Sequence, residues 1–300
     1  MNTAVAATDA SSNLVRELVA VTKPRITSTV VLTAASGVWL ANRTFPEQAL
    51  SWPMSLLAVL AVGVLVSGAS ALNCWYERHV DALMRRTRNR PIPSGRLAPG
   101  LALAWGSALC ALALPVLAFV FHPLSGLLGF IALVSYVWVY TPMKRLSPDS
   151  LLVGAFPGAA PTIIAWTAVT GRMDLAGVAL FAVLFVWQLS HFLAIAYLCK
   201  EDYARAGFRV HSVVYGDRST KRWAFFWTVV QLPVSLLLVL MGVASWLYGL
   251  VAIAAGLLYA REAWRWLPEE AGTAEARRLM LGSVLYLGVV FSALLLDAAL

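Results

Sequence analysis

The sequence predicts an all-α, polytopic membrane protein with nine transmembrane helices, and three observations support this fold class. Hydrophobic residues occupy 60% of the 300 positions. Charged residues occupy only 13%, whereas a soluble domain carries about 25%. Nine apolar runs each approach the roughly 20 residues that a helix needs to cross a bilayer. We expect residues 1–22 to form a disordered N-terminal lead and residues 23–300 to form a single transmembrane domain in the cell membrane.

The apolar runs follow one another along the chain, with polar segments between them. Backbone groups inside hydrocarbon must be hydrogen-bonded within their own segment, so each run is expected to be helical. Tryptophan and tyrosine residues gather near the ends of the runs, as they do at membrane interfaces. The predicted spans are residues 26–42, 54–72, 101–121, 123–140, 151–170, 175–198, 223–243, 244–260 and 280–296.

The lysines and arginines predict the orientation of the spans. With a cytoplasmic N-terminus, the inner segments hold 21 of the 23 lysines and arginines, and the outer segments hold only Arg43 and Arg172. Inner loops carry such an excess, so we expect the N-terminus in the cytoplasm and the C-terminus outside. The first residues lack the basic and apolar regions of a cleavable signal peptide. The net charge of +8 fits this topology and contact with anionic membrane lipid, and we expect no nucleic-acid partner.

The distribution of charge also indicates where the chemistry lies. No predicted span has a formal charge near its centre, although ion and proton pathways usually require one, which argues against a transporter. A lipid head-group phosphotransferase is disfavoured because its Asp-Gly-x-x-Ala-Arg signature is missing. The function is therefore expected in the two long cytoplasmic loops, residues 73–100 and 199–222, and in the helix ends that lead into them.

The first long loop begins with three oxygen-bearing side chains at a spacing of four residues, Asn73, Glu77 and Asp81. Residues four apart share a helix face, so the three would form a stripe on a helix that leaves the second span. Magnesium takes oxygen ligands and bridges carboxylates to substrate phosphates, and the stripe suits that role. The alternative is an ordinary solvated helix end in which Glu77 and Asp81 pair with nearby arginines.

Five arginines follow the stripe within twelve residues. A guanidinium group can donate two parallel hydrogen bonds to the oxygens of one phosphate. Arginines beside carboxylates therefore favour a magnesium–diphosphate complex. A purely topological role for basic residues in an inner loop is the alternative. The five are Arg85, Arg86, Arg88, Arg90 and Arg96.

The second long loop and a shorter one repeat this chemistry. Lys200, Glu201 and Asp202 are adjacent, and neighbouring residues cannot share one helix face. Only one of the two acids is therefore expected to bind metal, and we favour Asp202. In the shorter loop, Tyr140 and Lys144 are four residues apart at a helix end. There the lysine can reach a phosphate and the tyrosine can donate a hydrogen bond, although a lysine at such a place also serves as a simple membrane anchor.

At these residues the sequence resembles a known family, the protoheme IX farnesyltransferases of the UbiA superfamily of intramembrane prenyltransferases. The resemblance runs from Thr22 to about Ser212. It rests on the strings TKPRIT, DALMRRTRNRPIPSGRL, AFPGAAPTIIAWTAVTG and EDYARAG, on the Tyr140 and Lys144 pair, and on His191 followed by phenylalanine. The family usually has aspartate where Glu77 stands, and glutamate keeps the ligand chemistry. The resemblance implies a UbiA-type bundle with nine transmembrane helices.

The resemblance also implies a reaction and roles for individual residues. Farnesyl diphosphate, heme B and water would give heme O and diphosphate, with Mg²⁺ bridging the diphosphate and heme B as a substrate rather than a cofactor. The positions implied for catalysis and metal binding are Asn73, Glu77, Asp81 and Asp202. The positions implied for diphosphate binding are Arg25, Arg86, Arg90, Tyr140, Lys144 and Lys200.

His191 is the only histidine in the interior of a predicted span. Imidazole is a common heme ligand, so we predict that His191 contacts heme; a histidine that is hydrogen-bonded within the bundle is the alternative. Two other functions remain open, namely prenyl transfer to another aromatic or ring acceptor, such as a quinone precursor, and heme binding without catalysis. A downstream heme-modifying enzyme is a partner that fits the product but that no residue indicates.

Overall fold

The apolar runs of the sequence form helices. The computed structural model describes residues 13–297 and has nine long helices in this part of the chain. In chain order they are α1 Pro24–Thr44, α2 Trp52–Tyr76, α3 Pro99–Phe121, α4 Pro123–Met143, α5 Ser150–Thr170, α6 Leu175–Leu198, α7 Gly216–Leu240, α8 Trp246–Trp266 and α9 Thr273–Asp297. A short helix at residues 13–21 precedes them, and others lie between them at Pro46–Gln48, Arg78–Asp81, Lys200–Arg205 and His211–Val214. The described residues contain no strand.

Seven of the nine helices are long and apolar enough to cross a membrane. The other two, α1 and α8, have 21 residues each but a lower hydropathy, because α1 begins with polar residues and α8 ends with Arg261, Glu262 and Arg265. The all-helical, multi-pass fold that the sequence predicted is thus confirmed for seven spans.

The last three helices extend beyond the predicted spans. α7 begins at Gly216 instead of residue 223, and its Lys221 ammonium is satisfied by the carbonyls of Pro268 at 2.7 Å and Ala271 at 2.6 Å. α8 ends at Trp266 instead of residue 260, and α9 begins at Thr273 instead of residue 280. Hydropathy locates the apolar part of a helix, whereas the helix itself ends where its last hydrogen bonds can be satisfied.

The start of the described chain also differs from the expectation of a disordered lead over residues 1–22. Residues 1–12 lie outside the described residues, but residues 13–21 form a helix. Val21 is buried against Cys74 and Leu97, and Glu17 pairs with Arg96 at 3.0 Å. These contacts, which join segments far apart in the sequence, provide the order that the local composition did not suggest.

The long helices pack side by side around a central space. Each of α1 to α4 contacts the next helix, α5 packs against α1, α4 and α6, and α6 to α9 also follow one another. α9 contacts both α6 and α1, which closes the ring. Two of the helices contain a π-helical turn, at Val116–Phe121 in α3 and at Ser135–Tyr140 in α4.

Glycines allow the closest helix pairs to approach. A Cβ atom on Gly68 of α2 would lie 2.6 Å from Cys110 Sγ and 2.8 Å from the carbonyl oxygen of Gly106, both on α3. A Cβ atom on Gly37 of α1 would lie 2.7 Å from the carbonyl oxygen of Thr162 on α5. Small residues at helix contacts are typical of membrane bundles, where close backbone packing replaces the hydrophobic effect.

Candidate active site

A cavity of about 570 Å³ occupies the central space. Its wall is formed by α1, α2, α4, α5, α6 and α9 and by the segments that follow α2 and α6. Between the helices the wall is mostly apolar, with Val62, Leu133, Ile164 and Leu184 among its residues. Every charged residue of the wall belongs to the start of α1, the ends of α2 and α4, or the loop after α2. The cavity therefore has one charged end and one apolar chamber.

The three residues of the predicted stripe line the cavity together. α2 ends at Tyr76, but the backbone N–H of Glu77 donates to Asn73 O at 2.9 Å and that of Asp81 donates to Glu77 O at 2.8 Å. These bonds carry the helical spacing into the short helix Arg78–Asp81. All three side chains are buried, with exposed fractions of 1% for Asn73, 6% for Glu77 and 0% for Asp81. The shared face predicted from the spacing is confirmed.

Lys23 is a cavity residue that the sequence analysis did not select. Its ammonium donates to Asn73 Oδ1 at 2.7 Å, and the Asn73 amide donates to Thr141 Oγ1 at 3.0 Å. Lys23 has a φ of 54° and is the only non-glycine residue with a positive φ among residues 13–297. Residues other than glycine rarely adopt this left-handed backbone conformation. The only sequence signal was its place two residues before Arg25 in the string TKPRIT.

Glu77 and Lys144 form a buried ion pair at the charged end. Burial on its own would raise the pKa of the Glu77 carboxyl, but the cationic groups of Lys144, Lys23 and Arg90 together outweigh it and the pKa is lowered. Burial would likewise lower the pKa of Lys144, but Glu77, with Tyr140 and Tyr136, outweighs it and the pKa is raised. Both groups are therefore ionised at neutral pH. Lys144 Nζ also lies 4.7 Å from the ring centroid of Tyr140 and 5.3 Å from that of Phe208, in a cation–π arrangement.

Only one of the two carboxylate oxygens of Asp81 accepts a side-chain hydrogen bond in the described structure. Arg90 Nη1 donates to Asp81 Oδ2 at 2.8 Å, whereas Oδ1 is buried without a hydrogen-bond partner in the described structure. An unpaired buried carboxylate oxygen is costly, and here it borders a cavity that also presents Asn73 and Glu77. This donor set fits Mg²⁺, which takes oxygen ligands.

In the described part of the chain, Glu77 and Asp81 have no third histidine, cysteine or acidic side chain near them that could complete a metal site. Among residues 13–297 there is no group of three or more histidine, cysteine, aspartate or glutamate side chains placed to hold a metal ion. A metal at the stripe would therefore need the amide oxygen of Asn73, as well as Glu77 and Asp81, and oxygens from a bound substrate. Such a mixed set is typical of Mg²⁺, which is usually bound by one or two carboxylates plus substrate phosphates.

Positive charge outweighs negative charge at this end of the cavity. Of the five arginines in the first loop, Arg86 and Arg90 line the cavity, and Arg85 and Arg88 are exposed. The charged side chains of the wall comprise two acids, Glu77 and Asp81, and five cationic groups, Lys23, Arg25, Arg86, Arg90 and Lys144. The predicted positions Arg25, Arg86, Arg90, Tyr140 and Lys144 are thus brought together, and the excess of positive charge suits an anion.

Asp202, predicted as a metal ligand, is not part of the cavity wall. Its carboxylate accepts hydrogen bonds at 3.3 Å from the backbone N–H groups of Arg85 and Arg86, and at 2.9 Å from Arg205 Nη1. Burial alone would raise the pKa of Asp202, but these hydrogen bonds lower it. Asp202 therefore ties the second long loop to the first one, which differs from the prediction.

The contact between the two loops explains this difference. Met84 of the first loop packs with Ala206 and Phe208 of the second loop, and this packing sets the direction of the side chains on the short helix Lys200–Arg205. Lys200, predicted to bind diphosphate, points away from the cavity and pairs with Asp217 at 2.8 Å. The residue types in the second loop did not reveal which of them face the site.

His191 borders the cavity from α6. Its Nδ1 atom lies 2.7 Å from Ser283 Oγ on α9, and its ring stacks on Trp187 with a centroid distance of 4.9 Å and an interplanar angle of 17°. The residue is thus hydrogen-bonded within the bundle and also accessible from the chamber. The two roles weighed for it in the sequence are therefore compatible.

Comparison with known proteins agrees with this geometry. The model of the UbiA prenyltransferase family matches residues 30–287. The protoheme IX farnesyltransferase of Anaeromyxobacter sp. (strain Fw109-5) is 48% identical over 284 residues, which cover 94% of this chain and 94% of the relative. The protoheme IX farnesyltransferase of Myxococcus xanthus (strain DK1622) is 41% identical over 282 residues, again 94% of each chain.

Two solved structures are similar in fold. A digeranylgeranylglyceryl phosphate synthase superposes with a TM-score of 0.77 at 16% identity, over 95% of this chain and 98% of the other. A UbiA homolog from Archaeoglobus fulgidus bound to GPP and Mg²⁺ gives a TM-score of 0.69 at 16% identity, over 93% of this chain and 99% of the other. At such identities the likeness concerns the fold.

Proposed function

Because the chain belongs to the UbiA prenyltransferase family, we propose that it transfers the farnesyl group of farnesyl diphosphate to a vinyl group of heme B. With addition of water, this gives heme O and diphosphate. The observation that carries the proposal is the cavity, where five cationic side chains and two carboxylates meet one end of an apolar chamber. A substrate with a diphosphate head and a hydrocarbon tail has the same division of polarity. The names of the protoheme IX farnesyltransferases that resemble this chain support heme as the acceptor.

The diphosphate group would bind at the charged end, in contact with Arg25, Arg86, Arg90, Lys144 and Tyr140. Guanidinium groups hold phosphate oxygens in pairs, and an ammonium acts as a point charge. When the bond between farnesyl carbon and diphosphate oxygen breaks, negative charge accumulates on the leaving group. Cations that are already in place stabilise that charge without reorganisation. Lys200 is outside this set because it pairs with Asp217 on the surface.

Asn73, Glu77 and Asp81 would hold Mg²⁺, which neutralises charge on the departing diphosphate when it is bound. Asp81 offers Oδ1, the oxygen without a partner. Glu77 remains an anion at neutral pH because Lys144 lowers its pKa. Asn73 offers an amide oxygen that the Lys23 ammonium already orients at 2.7 Å. Asp202 is not needed in this arrangement, since its oxygens accept hydrogen bonds from the first loop.

The apolar chamber would hold the farnesyl chain and exclude water while the farnesyl cation exists. The rings of Tyr136 and Tyr140 stack with centroids 5.8 Å apart where the charged end meets the chamber, and aromatic faces stabilise cations. The heme vinyl group attacks the cation and forms the new carbon–carbon bond. Water then bonds to the vinyl carbon that has become positive, and it loses a proton. Heme B would bind beside His191, whose imidazole suits heme iron.

We also propose that all nine long helices cross the membrane, with the N-terminus and the charged end of the cavity in the cytoplasm and the C-terminus outside. The support is the placement of 21 of the 23 lysines and arginines in the inner segments. α1 and α8, each with 21 residues, are long enough for a span.

Expression in a bacterial strain that lacks heme O synthesis tests the proposed reaction. Extracted pigments are expected to contain a product whose mass equals that of heme B plus a farnesyl group and a hydroxyl group, with Asp81→Asn as the inactive comparison. Recovery of heme B alone would contradict the proposal. A parallel assay with purified protein, farnesyl diphosphate and a hydroxylated aromatic acid detects the competing function, because prenylation of that acid without heme O would assign a different acceptor.

A further inference from the structure

Three atoms indicate which nitrogen of the His191 ring carries the proton. His191 Nδ1 lies 2.7 Å from Ser283 Oγ, and Ser283 Oγ donates its proton to the backbone carbonyl of Met280 at 2.6 Å. A hydroxyl has one proton. With that proton directed to Met280, Ser283 Oγ can only accept from His191, so the imidazole proton resides on Nδ1. A neutral imidazole carries one proton, and Nε2 therefore keeps its lone pair.

Ser283 also controls the orientation of the ring. Its backbone carbonyl accepts a hydrogen bond from Trp187 Nε1 at 2.6 Å, and the Trp187 indole stacks on the His191 ring at 4.9 Å. One residue of α9 thus holds both the edge of the imidazole and the aromatic plane beneath it. The imidazole is therefore held by stacking on Trp187 and by its hydrogen bond to Ser283.

The free nitrogen is the one that can meet a molecule in the cavity. Nδ1 is directed to α9, and Nε2 makes no hydrogen bond to any residue that the structure describes. His191 borders the chamber together with Val284 and Leu287 of α9. An imidazole whose Nδ1–H is held by a second residue has an oriented and more basic Nε2, the arrangement found in histidines that bind metals.

We propose that Ser283 is a positioning residue that keeps His191 as the Nδ1–H tautomer, so that Nε2 binds the iron of a metalloporphyrin in the chamber. The inference rests on the proposed function for the identity of the ligand, but the tautomer itself is a property of the ligand-free protein. Ser283 lies 92 positions from His191 in the sequence, and nothing in its local pattern marks it as part of a site.

Nitrogen NMR of the ligand-free protein tests the tautomer, and the chain carries its own control. The backbone N–H of Leu124 donates to His122 Nδ1 at 3.1 Å, so His122 must have its proton on Nε2. In protein with ¹⁵N-labelled histidine at pH about 8, above the ordinary imidazole pKa of about 6.5, the two rings are expected to show opposite tautomers. Substitution of His191 by glutamine assigns its signal. A proton on Nε2 of His191 would overturn the inference.

Variants of Ser283 test its positioning role. Ser283→Ala is expected to give His191 a mixture of tautomers, whereas Ser283→Thr, which keeps the hydroxyl, restores the Nδ1–H form. Ser235→Ala serves as the matched control, because Ser235 is a buried serine that bonds to Tyr286 of α9 but does not contact His191. A pure Nδ1–H signal in Ser283→Ala would show that Ser283 does not position the ring.

Titration with ferric heme tests the bond to iron. The Soret band of the complex is expected to shift in His191→Ala and, to a smaller extent, in Ser283→Ala, and to return in Ser283→Thr. Metal-free protoporphyrin should bind all four proteins equally, since it has no iron to ligate. Equal Soret bands in wild type and His191→Ala would refute iron binding. If no heme O forms but the tautomer behaves as stated, the proposed function fails while the positioning role of Ser283 stands.

Discussion

Asp81 and Arg90 form an ion pair of 2.8 Å in which the carboxylate side chain is only 1% exposed and the guanidinium side chain is 26% exposed. Because Asp81 Oδ1 remains without a partner in the described structure, the pair satisfies half of the carboxylate. The arginine can therefore contact an anion in the cavity while the second oxygen of the aspartate contacts a cation. We therefore expect substitution of Asp81 to affect the bound cation and substitution of Arg90 to affect the bound anion.

Asp81→Asn is expected to reduce turnover by about 100-fold or more, the scale for losing a preorganised electrostatic contact, because an amide cannot replace the negative charge that binds Mg²⁺. Membrane insertion should be unchanged, since Asp81 follows α2 and lies outside the long helices. Heme O formation in membranes measures the effect. Asp217→Asn, an exposed acid outside the cavity wall, is the control, and near-normal heme O yield in Asp81→Asn would remove its metal role.

Arg90→Ala is expected to weaken binding of farnesyl diphosphate by roughly 10- to 100-fold, the range for losing a hydrogen bond to a charged group. Binding to the detergent-solubilised protein can be measured by calorimetry with a non-hydrolysable analogue. Arg88→Ala is the matched control, because Arg88 is in the same loop but is exposed and outside the cavity wall. Equal affinities of the two variants would show that Arg90 serves only Asp81 or the topology.

We expect the contribution of the Glu77–Lys144 pair to the free energy of unfolding to be independent of pH near neutrality. The pKa of Glu77 is lowered, so its contribution is complete above the ordinary glutamate pKa of about 4.3 and is lost as pH falls through the lowered value. The pKa of Lys144 is raised, so its contribution is complete below about 10.4 and is lost as pH rises through the raised value. Both contributions are therefore complete between about pH 6 and pH 9.

Glu77→Gln leaves the Lys144 ammonium buried and unpaired, which is expected to cost about 3–5 kcal/mol of unfolding free energy. Measured by thermal unfolding in detergent, the difference in Tm between this variant and wild type should be largest near pH 6 and should narrow as pH rises, because burial lowers the pKa of Lys144 once Glu77 no longer opposes it. Glu262→Gln, which removes a pair with the partly exposed Arg265, should cost at most about 1 kcal/mol. Equal Tm values for Glu77→Gln and wild type near pH 6 would mean that the pair is not ionised.

Asp202→Ala is expected to release the second long loop from the first one. The carboxylate holds the backbone of Arg85 and Arg86, so its loss should accelerate tryptic cleavage among the arginines at 85–90 several-fold. Glu201→Ala, the neighbouring exposed acid, is the control. If cleavage is unchanged and the activity lost in Asp202→Ala returns at high Mg²⁺ concentration, Asp202 is a metal ligand after all.

The sequence predicted the parts of the site that follow from helical periodicity. Asn73, Glu77 and Asp81 share a face because residues four apart meet on a helix, and the bonds through the break after Tyr76 preserve that spacing. The apolar runs likewise located the helices, since only hydrogen-bonded segments of that length fit a bilayer. Both inferences use local rules that hold for each segment on its own.

Other parts of the site depend on contacts between distant segments. Asp202 and Lys200 face away from the cavity because Met84 docks on Phe208, and no local pattern shows that contact. The left-handed backbone conformation of Lys23 could not be predicted, because lysine rarely adopts it. The hydrogen bond between His191 and Ser283 likewise joins two helices, through residues that lie 92 positions apart in the sequence.

The π-helical turn at Ser135–Tyr140 has a consequence for the length of α4. A π-helical turn bonds each N–H to the carbonyl five residues earlier and so accommodates one residue more than an α-helical turn. That insertion changes the angular position of everything after it by about 100°. Deleting a single residue there would leave an apolar span of nearly the same length, but would rotate Lys144 away from Glu77. This stretch can therefore exchange one apolar side chain for another, but it cannot be shortened.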